Sequence, residues 1–300
     1  MHHSILRYIT EVARQGSIRR AATALNVASS AINRQIIKAE ENFGVLIFSR
    51  SADGVEVTDI GKTIVAHCER TLRDYTQLQQ AIASFRSQRT GHIRISAIDS
   101  TTLRLIPEVI AAFRRRHPDV IFTIRTVEPE DTMDDVANGV ADIGISFTRL
   151  IHHDVRIVVE RPAPFGCLVY PGHPLANAGE VALDQCLEYR FVRTHNVRGT
   201  DSLINRDLNL GLANLTTVMH ASSLVVAKQA ILDRMGIGIY TKIGFLPEIA
   251  AGTIRFVRLT DPIAADYRLG VVIPAQRYLA PLVQSFVAAL TRHLKACDFG

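Results

Sequence analysis

The sequence predicts an α/β protein that carries an all-α-like module at its N-terminus. Three patterns support this prediction. Apolar residues recur at three- and four-residue steps from Ile5 to about residue 40, which is the spacing of amphipathic helices. A second helical pattern, free of proline, continues from Thr58 to about Ser87. From residue 91 onwards, β-prone runs alternate with helical stretches, an order typical of strands and helices packed in layers.

The positive charge of the chain is concentrated in its first third. The 300 residues contain 34 Lys and Arg and 29 Asp and Glu, which gives a net charge of +5. Residues 1–90 contain twelve of the basic and eight of the acidic side chains, so the surplus is four there and one in the remaining 210 residues. A basic end on a nearly neutral body suggests a module for a polyanion joined to another domain.

Composition excludes several classes of protein. No apolar run reaches the ~18–20 residues that span a bilayer, and the N-terminus lacks the charged-then-apolar order of a signal peptide. We therefore expect a cytoplasmic protein without membrane contact. The cysteines Cys68, Cys167, Cys186 and Cys297 are far apart and form no C-x-x-C pair. This spacing predicts free thiols, and neither a disulfide framework nor structural zinc.

The sequence also lacks the motifs of common enzyme classes. It contains no G-x-S-x-G, no Walker A loop and no G-x-G-x-x-G after a strand. His152 and His153 are adjacent, which in a strand would direct their rings to opposite faces and prevent them from sharing a metal. We expect a protein that is not an enzyme and that holds no cofactor and no metal.

Two short helices with a tight connection predict a helix-turn-helix. The break at Gly16-Ser17 is followed by an Ala-rich helix from Ile18 to Leu25, and residues 26–28 connect it to a helix from Ser29 to about Phe43. The small side chains of Ala21, Ala22 and Ala24 allow the two helices to cross closely. An ordinary three-helix bundle with a solvated face is the alternative. The apolar positions of the second helix that should face inward are Ile32, Ile36, Ala39 and Phe43.

The polar side of the second helix suits the major groove of DNA. Short polar side chains and Arg can contact base edges, whereas flanking basic residues and helix N-termini can contact phosphates. Asp53-Gly54 between two β-prone runs predicts a hairpin, which would form a wing behind the helix pair. The candidate DNA-binding residues are Ser29, Ser30, Asn33, Arg34, Gln35, Lys38, Arg50, Arg19 and Arg20.

The helix from Thr58 to about Ser87 lacks a core of its own. Its ~30 residues would span ~45 Å, and its apolar residues continue as a seam at three- and four-residue steps. A second copy of the same helix is the natural partner for such a seam. Packing against its own domain is the alternative.

The remaining chain predicts two α/β lobes. The first lobe should be a parallel sheet covered on both faces, with strands at 92–98, 120–126 and 141–147 and helices at 103–116 and 132–138. The second lobe should repeat this scheme, with strands at 165–170, 190–194, 215–220 and 237–241 and a helix at 222–234. A last strand at 267–273 and a helix at 279–295 should return to the first lobe, with crossovers near Arg161 and Asp266.

The N-terminal stretch resembles the LysR-type transcriptional regulators. The residues that carry the resemblance include Leu6–Ile9, Gly16-Ser17, Arg20–Ala22, Leu25–Val27, Ser30–Ile36, Gly44–Arg50 and Val57–Gly61. Ser29-Ser30 stands where the family usually has Gln-Pro, and Asn33 stands where it most often has Ser. Because Asn favours adenine edges, Asn33 predicts an altered operator preference.

The C-terminal stretch resembles the co-inducer domain of the same family, which shares the fold of type 2 periplasmic binding proteins. The matching residues include Leu105–Pro107, Phe113–Val120, Gly139–Ile143, His173–Leu175 and Met235–Ile239. The resemblance implies a winged helix-turn-helix domain at 1–60, a linker helix for dimerisation at 61–88 and an effector-binding domain at 91–300. Within that domain, lobe 1 would comprise 91–161 and 267–300, and lobe 2 would comprise 162–266.

We expect the effector at the strand ends that face the cleft between the lobes. Hydroxyls and free backbone N–H groups there suit a carboxylate or another anion, although a helix cap is the alternative for each Ser or Thr. Asp99 departs from this pattern, and it either favours a ligand with a donor group or caps a helix. The candidate effector-binding residues are Ser100, Thr101, Thr102, Ser146, Phe147, Thr148, Thr194, His195, Asn196, Ser222, Ser223 and Ile239.

The resemblance implies a regulator that binds double-stranded DNA as a homodimer or homotetramer and responds to a small-molecule effector. It leaves RNA polymerase open as a further partner. A function of another class is a cytoplasmic small-molecule binding protein whose N-terminal part serves oligomerisation only. The concentration of positive charge in residues 1–90 speaks against that alternative.

Overall fold

The computed structural model describes residues 2–51, 54–86, 91–149, 152–194, 206–208 and 216–299, with side chains for all of these except 2–3, 50–51, 77 and 80–86. The chain forms two compact units, Met1–Arg86 and Ser87–Gly300. Among the described helices, none is both long and apolar enough to cross a membrane. All four cysteines are free thiols, and three of them are buried.

The smaller unit is a winged helix-turn-helix followed by a long helix. Its elements are α1 (His2–Gln15), α2 (Ile18–Leu25), α3 (Ser29–Phe43), β1 (Phe48–Ser51), β2 (Gly54–Val57) and α4 (Asp59–Arg86). Helix α1 packs against α2, α3 and α4, and β1 pairs with β2 as an antiparallel hairpin. The core is formed by Ile9, Val12, Ala21, Ala22, Ile32, Ile36, Ala39, Ile47, Phe48 and Cys68. The helix-turn-helix and the wing that the sequence predicts are therefore present.

The start of α4 is fixed against the wing. The Thr58 hydroxyl accepts a hydrogen bond from the Gly61 N–H at 2.9 Å and donates one to the Leu46 carbonyl at 2.7 Å. A Cβ atom at Gly61 would lie 2.1 Å from the Ile47 carbonyl oxygen, so only glycine allows this approach. The first turn of α4 is thus set by close contact with the residues that lead into β1.

In its described residues, the larger unit contains a five-stranded, a four-stranded and a two-stranded sheet, with helices around them. The elements of its first part are β3 (Gly91–Ala97), α5 (Asp99–Thr102), α6 (Leu105–Arg114), β4 (Val120–Thr126), α7 (Pro129–Ala137), β5 (Ile143–Phe147) and β6 (Val155–Pro162). The middle part comprises β7 (Phe165–Val169), β8 (Glu180–Val181), α8 (Leu183–Cys186), β9 (Phe191–Thr194), β10 (Thr217–Ala221), α9 (Leu224–Leu232), β11 (Gly238–Thr241), α10 (Leu246–Ala250), β12 (Arg255–Leu259) and α11 (Pro262–Ala265). The chain then ends with β13 (Arg268–Pro274) and α12 (Pro281–Ala296).

The first sheet is mixed, which corrects the prediction of a parallel sheet. Its strand order is β4-β3-β5-β13-β6. Strands β4 and β5 run parallel to β3 as predicted, but β13 is antiparallel to both β5 and β6. The last strand re-enters the first lobe between two strands that precede it in the chain, and it does so in the opposite direction. Strand β6, which the sequence reading missed, forms the edge of the sheet.

The second lobe does not repeat the first, so that prediction is also wrong. Strand β7 lies between β11 and β12 and is antiparallel to both, while β8 is parallel to β12. Strands β9 and β10 form a parallel pair that joins the larger sheet through a bridge between Phe191 and Ile237. The unpredicted strands β8 and β12 complete this lobe.

Three aromatic rings pack together where the chain crosses between the sheets. Phe165 begins β7, Tyr267 precedes β13 and Phe147 ends β5. Their ring centroids lie 4.8–5.4 Å apart, and two of the three pairs meet edge to face. One hydrophobic cluster therefore continues through both lobes at the crossovers.

Candidate DNA-binding surface and effector cleft

The N-terminus of α3 is open to solvent. Its N-cap residue, Ala28, is extended (φ −70°, ψ 136°) and supplies no side-chain cap. The next two residues, Ser29 and Ser30, are exposed. The first N–H groups of a helix have no partner within it and carry partial positive charge. This end of α3 therefore presents N–H groups that could donate hydrogen bonds to a phosphate.

The two faces of α3 are chemically distinct. Ile32, Ile36 and Ala39 are buried, whereas the outer side chains Arg34, Gln35 and Lys38 are exposed. Phe43 does not face inward as predicted, because it is 58% exposed at the last helical position before the left-handed Gly44 cap. The periodicity of the sequence holds along the helix, but the last turn extends beyond the core formed by the other helices.

The other predicted DNA contacts differ in their surroundings. Arg19 is exposed, and Arg20 is exposed while its guanidinium donates to the Gln15 carbonyl. Asn33 is half-buried. The side chain of Arg50 lies outside the described residues, as do residues 52–53 of the predicted hairpin turn.

Glu40 connects α3 to the wing, a role that the sequence analysis missed. Its Oε1 atom accepts hydrogen bonds from the N–H groups of Ile47 (2.8 Å) and Phe48 (3.1 Å). On the other side of the wing, the N–H of Val55 donates to the Gly16 carbonyl at 3.1 Å. These bonds hold the wing to both ends of the helix-turn-helix. A glutamate near a helix C-terminus carries no sequence signal for such a role.

The predicted effector residues of the first lobe lie near the carboxyl ends of β3, β4 and β5. Because these strands are parallel, the residues that follow them meet at one edge of the sheet. Asp99 follows β3, and its Oδ2 atom accepts a hydrogen bond from the N–H of Leu224 in the second lobe at 2.8 Å. The two lobes are thus joined directly at the first turn of α9.

Ser223 caps the same helix. Its Oγ atom accepts from the N–H of Val225 at 3.3 Å, which is the alternative that the sequence left open for this serine. Ser222 is exposed beside it. The N-terminus of α9 is therefore occupied by two acceptors from the chain itself.

The predicted hydroxyls of the first lobe have partners nearby. Thr101 is buried and donates to the Ile98 carbonyl at 2.8 Å, and Thr102 donates to the Asp99 carbonyl at 2.8 Å. Ser100 between them is half-buried. These threonines stabilise the turn that carries Asp99, so their hydroxyls are engaged with the backbone.

Of the remaining predicted effector residues, four are buried, one is half-buried and two lie outside the described residues. Ser146 and Thr148 are buried, and their hydroxyls lie 3.4 Å from the Pro129 carbonyl and 3.0 Å from a Glu160 carboxylate oxygen. Phe147 packs in the aromatic trio, and Ile239 is 4% exposed within the core. Thr194 is half-buried at the end of β9, and His195 and Asn196 lie outside the described residues.

Charged pairs that the sequence reading missed also connect the two lobes. Arg206 of the second lobe pairs with Glu130 at the start of α7. Asp207 accepts a hydrogen bond from the Tyr267 hydroxyl at 2.5 Å and pairs with Arg149 at 3.2 Å. Burial and the neighbouring Asp207 raise the pKa of Tyr267. The sequence separation of these pairs left no local signal for them.

Comparison with known sequences identifies the family. Residues 4–62 match the profile of the bacterial regulatory helix-turn-helix protein, lysR family, and residues 86–295 match the LysR substrate binding domain. The chain belongs to the LysR family of transcriptional regulators. The regulator has both the DNA-binding domain and the effector-binding domain of that family, and neither is an enzyme.

Similar proteins support the same assignment over more than four fifths of the chain. The regulator is 27% identical over 247 residues to the HTH-type transcriptional regulator CysB of Burkholderia cenocepacia, which covers 81% of this chain and 78% of CysB. It is 26% identical over 257 residues to SsuR of the same organism, covering 85% of this chain and 83% of SsuR.

Solved structures share the fold. A full-length variant of OxyR from Pseudomonas aeruginosa superposes with a TM-score of 0.66 at 22% identity, covering 100% of this chain and 96% of OxyR. CbnR in complex with its target DNA superposes with a TM-score of 0.64 at 17% identity, covering 98% of this chain and 100% of CbnR. At this identity the likeness concerns the architecture alone.

The structure corrects the expected geometry of His152 and His153. The two residues precede β6 instead of lying in it, and their rings stack with centroids 4.4 Å apart. Together with Asp154 they place three candidate metal-ligand atoms within 4.8 Å of one another. The two imidazoles therefore do not point to opposite faces, because residues in a turn do not follow the alternation of a strand.

Proposed function

We propose that this regulator binds double-stranded DNA through α3 and the wing, and that a small molecule in the cleft of residues 91–300 modulates its action. The open N-terminus of α3 is the observation that carries the DNA-binding part. It combines unpaired helix donors with exposed Ser29, Ser30 and Arg34, while the opposite face of the helix holds the core. The proposed DNA contacts remain the nine residues predicted from the sequence.

The proposal for the sensor part rests on the two-lobed form of the larger unit, since ligands commonly bind between lobes, and on the match to the substrate binding domain. Among the described effector candidates, those with exposed or half-buried side chains at the strand and helix ends are Ser100, Thr102, Thr194, Ser222 and Ser223. An effector that binds one arrangement of the lobes better than another would shift the population toward it. The effector-binding domain would comprise residues 91–300, divided into lobes as the sequence predicts.

We further propose that α4 joins two copies of the regulator. Helix α4 exposes Ile60, Tyr75 and Leu78, which are 49%, 46% and 56% accessible. Apolar side chains on a long helix favour pairing with another helix. A homodimer would present two helix-turn-helix units to two half-sites, and a homotetramer would present four. Such a protein works where the DNA lies, in the cytoplasm, and RNA polymerase is a further candidate partner.

A salt titration of DNA binding tests the proposal. We expect full-length protein to bind operator fragments obtained by selection with an affinity that falls as salt rises. A plot of the logarithm of the association constant against the logarithm of the salt concentration should have a slope of about −0.9 for each phosphate neutralised. Arg34→Ala should weaken binding by roughly tenfold or more, whereas Arg115→Ala, an exposed arginine in the larger unit, should leave it unchanged. An absence of duplex binding at low salt would favour the alternative, in which the N-terminal part serves oligomerisation only.

A matched selection tests the prediction for Asn33. The parent and Asn33→Ser are each selected against the same randomised duplex library, and the preferred sequences are compared. We expect the parent to prefer an adenine at a position where the serine variant tolerates other bases. Identical preferred sequences would contradict a role for Asn33 in direct readout.

A further inference from the structure

Asp99 occupies the place that an anionic ligand would take in the second lobe. The first turn of α9 offers backbone donors, which suit a carboxylate or a phosphate. The Leu224 N–H already donates to Asp99 Oδ2 at 2.8 Å, across 125 positions of sequence. The carboxylate of the first lobe thus acts as an internal ligand of the second.

The segment around Asp99 is docked on the second lobe by packing as well. Leu103 contacts the hydrophobic cluster of that lobe, which includes Leu224 and Phe245. A Cβ atom at Gly244 would lie 2.5 Å from Leu224 Cδ2 and 3.5 Å from Ser100 Cα, so the two lobes approach closely at this point. The Asp99 hydrogen bond is therefore part of a packed contact between the lobes.

The surroundings of Asp99 disfavour another negative charge. Glu128, which follows β4 at the same edge of the sheet, is half-buried. Burial raises its pKa, and the carboxylates of Glu130, Asp131 and Asp99 raise it further, although Arg206 partly offsets them. A carboxylate effector would add to this repulsion.

We propose that Asp99 is a specificity-determining residue of the cleft, because its carboxylate fills the first turn of α9 and excludes carboxylate effectors from it. This inference rests on the proposed role of the cleft as the effector site. An anionic effector can bind at this end only by displacing Asp99, and doing so breaks one of the contacts between the two lobes. An effector that leaves Asp99 in place must not place a carboxylate of its own at the N-terminus of α9.

Chemical rescue of full-length variants tests this proposal. Asp99→Ser should lower the melting temperature by about 3–8 °C, since a hydrogen bond to a charged group and the interlobe contact are lost together. Sodium acetate, sodium sulfate and sodium benzoate should each raise the melting temperature of Asp99→Ser above that in sodium chloride of equal ionic strength. The parent should show only the general stabilisation that excluded anions such as sulfate give any folded protein, so the increase above sodium chloride should be clearly larger for Asp99→Ser than for the parent.

Asp134→Ser is the matched control, because Asp134 is an exposed carboxylate on α7. It should melt like the parent and show no rescue. Rescue of the parent and Asp99→Ser to the same extent, or an unchanged melting temperature in Asp99→Ser, would overturn the proposal. Asp99→Asn gives a second measurement, because an amide oxygen can still accept from Leu224 and should remove most of the rescue.

This outcome is separate from the fate of the proposed function. The melting experiment contains no DNA, so loss of duplex binding by the parent would refute the regulator's proposed mode of action and leave the role of Asp99 intact. Conversely, a parent that binds DNA but is stabilised by the added carboxylates as strongly as Asp99→Ser is would overturn the inference alone.

Discussion

The N-termini of α3 and α9 present the same physical feature in opposite states. Helix α3 begins at Ala28 without a side-chain cap, and the serines after it are exposed. Helix α9 begins with the Ser223 cap and with Asp99 bonded to Leu224. A helix N-terminus stabilises nearby negative charge wherever it comes from. The larger unit satisfies this interaction internally, whereas the smaller unit leaves it open, which is consistent with the proposed contact of α3 with DNA.

Ala28→Asp would make α3 resemble α9, and we expect the largest effect from this change. The aspartate should cap α3 and raise stability by up to about 1 kcal/mol. It should also repel the DNA backbone and lower operator affinity by roughly 10–100-fold. Fluorescence anisotropy with labelled operator measures the affinity, and thermal unfolding measures the stability. Ala28→Ser, which caps without charge, should retain most of the affinity; an equal loss in both variants would contradict the electrostatic reason.

Glu40→Ala tests the other end of α3. The change leaves the N–H groups of Ile47 and Phe48 without their acceptor and should destabilise the smaller unit by about 2–3 kcal/mol. Thermal unfolding of the full chain, followed by circular dichroism, measures the loss. Glu40→Gln retains an acceptor oxygen and should cost less. Equal melting temperatures for the parent and Glu40→Ala would show that these two bonds contribute no net stability.

Ser223→Ala sharpens the comparison at α9. Removal of the cap should cost about 1 kcal/mol or less, because Asp99 still occupies the first turn. The double variant with Asp99→Ser should lose more than the two single variants together, since the helix end then has neither acceptor. Denaturant titrations of the four proteins measure the coupling. Strict additivity would show that the two acceptors act independently.

Glu128→Gln should have the smallest effect, and the size of this effect should depend on pH. Because the folded pKa of Glu128 is raised, its ionised form is disfavoured in the folded state, and stability is lost as pH rises through that pKa. The melting temperature of the glutamine variant should therefore be slightly higher than that of the parent at pH 7 and equal to it at pH 4. A lower melting temperature at pH 7 would indicate that the charge of Glu128 is stabilising.

Local patterns in the sequence predicted the helix-turn-helix better than the cleft. The 3.6-residue period identified Ile32, Ile36 and Ala39 as inward-facing, but it could not show that α3 extends past its core at Phe43. Strands β4, β3 and β5 follow a simple alternating order and were predicted. The antiparallel entry of β13 depends on the return of the chain from the second lobe, which no local pattern records.

For the candidate effector region, the sequence indicated which loops lie together but not the contacts that their residues make. Strand order indicates which loops meet at the edge, and Asp99 was noted there as an exception. Its bond to Leu224 joins residues 125 positions apart, so only the tertiary structure identifies its partner. The hydroxyls of Thr101 and Thr102 look available in the sequence, yet they satisfy nearby carbonyls because a short helix begins at Asp99.

The separation of the two faces of α3 has a practical consequence for engineering. The inward residues and Glu40 hold the helix and the wing, while Ser29, Ser30, Arg34 and Lys38 are exposed. A combinatorial library confined to these four positions would vary the surface offered to DNA and leave the packing of the domain unchanged. Orthogonal regulators for synthetic promoters could be built on this scaffold, with the sensing half of the chain kept as it is.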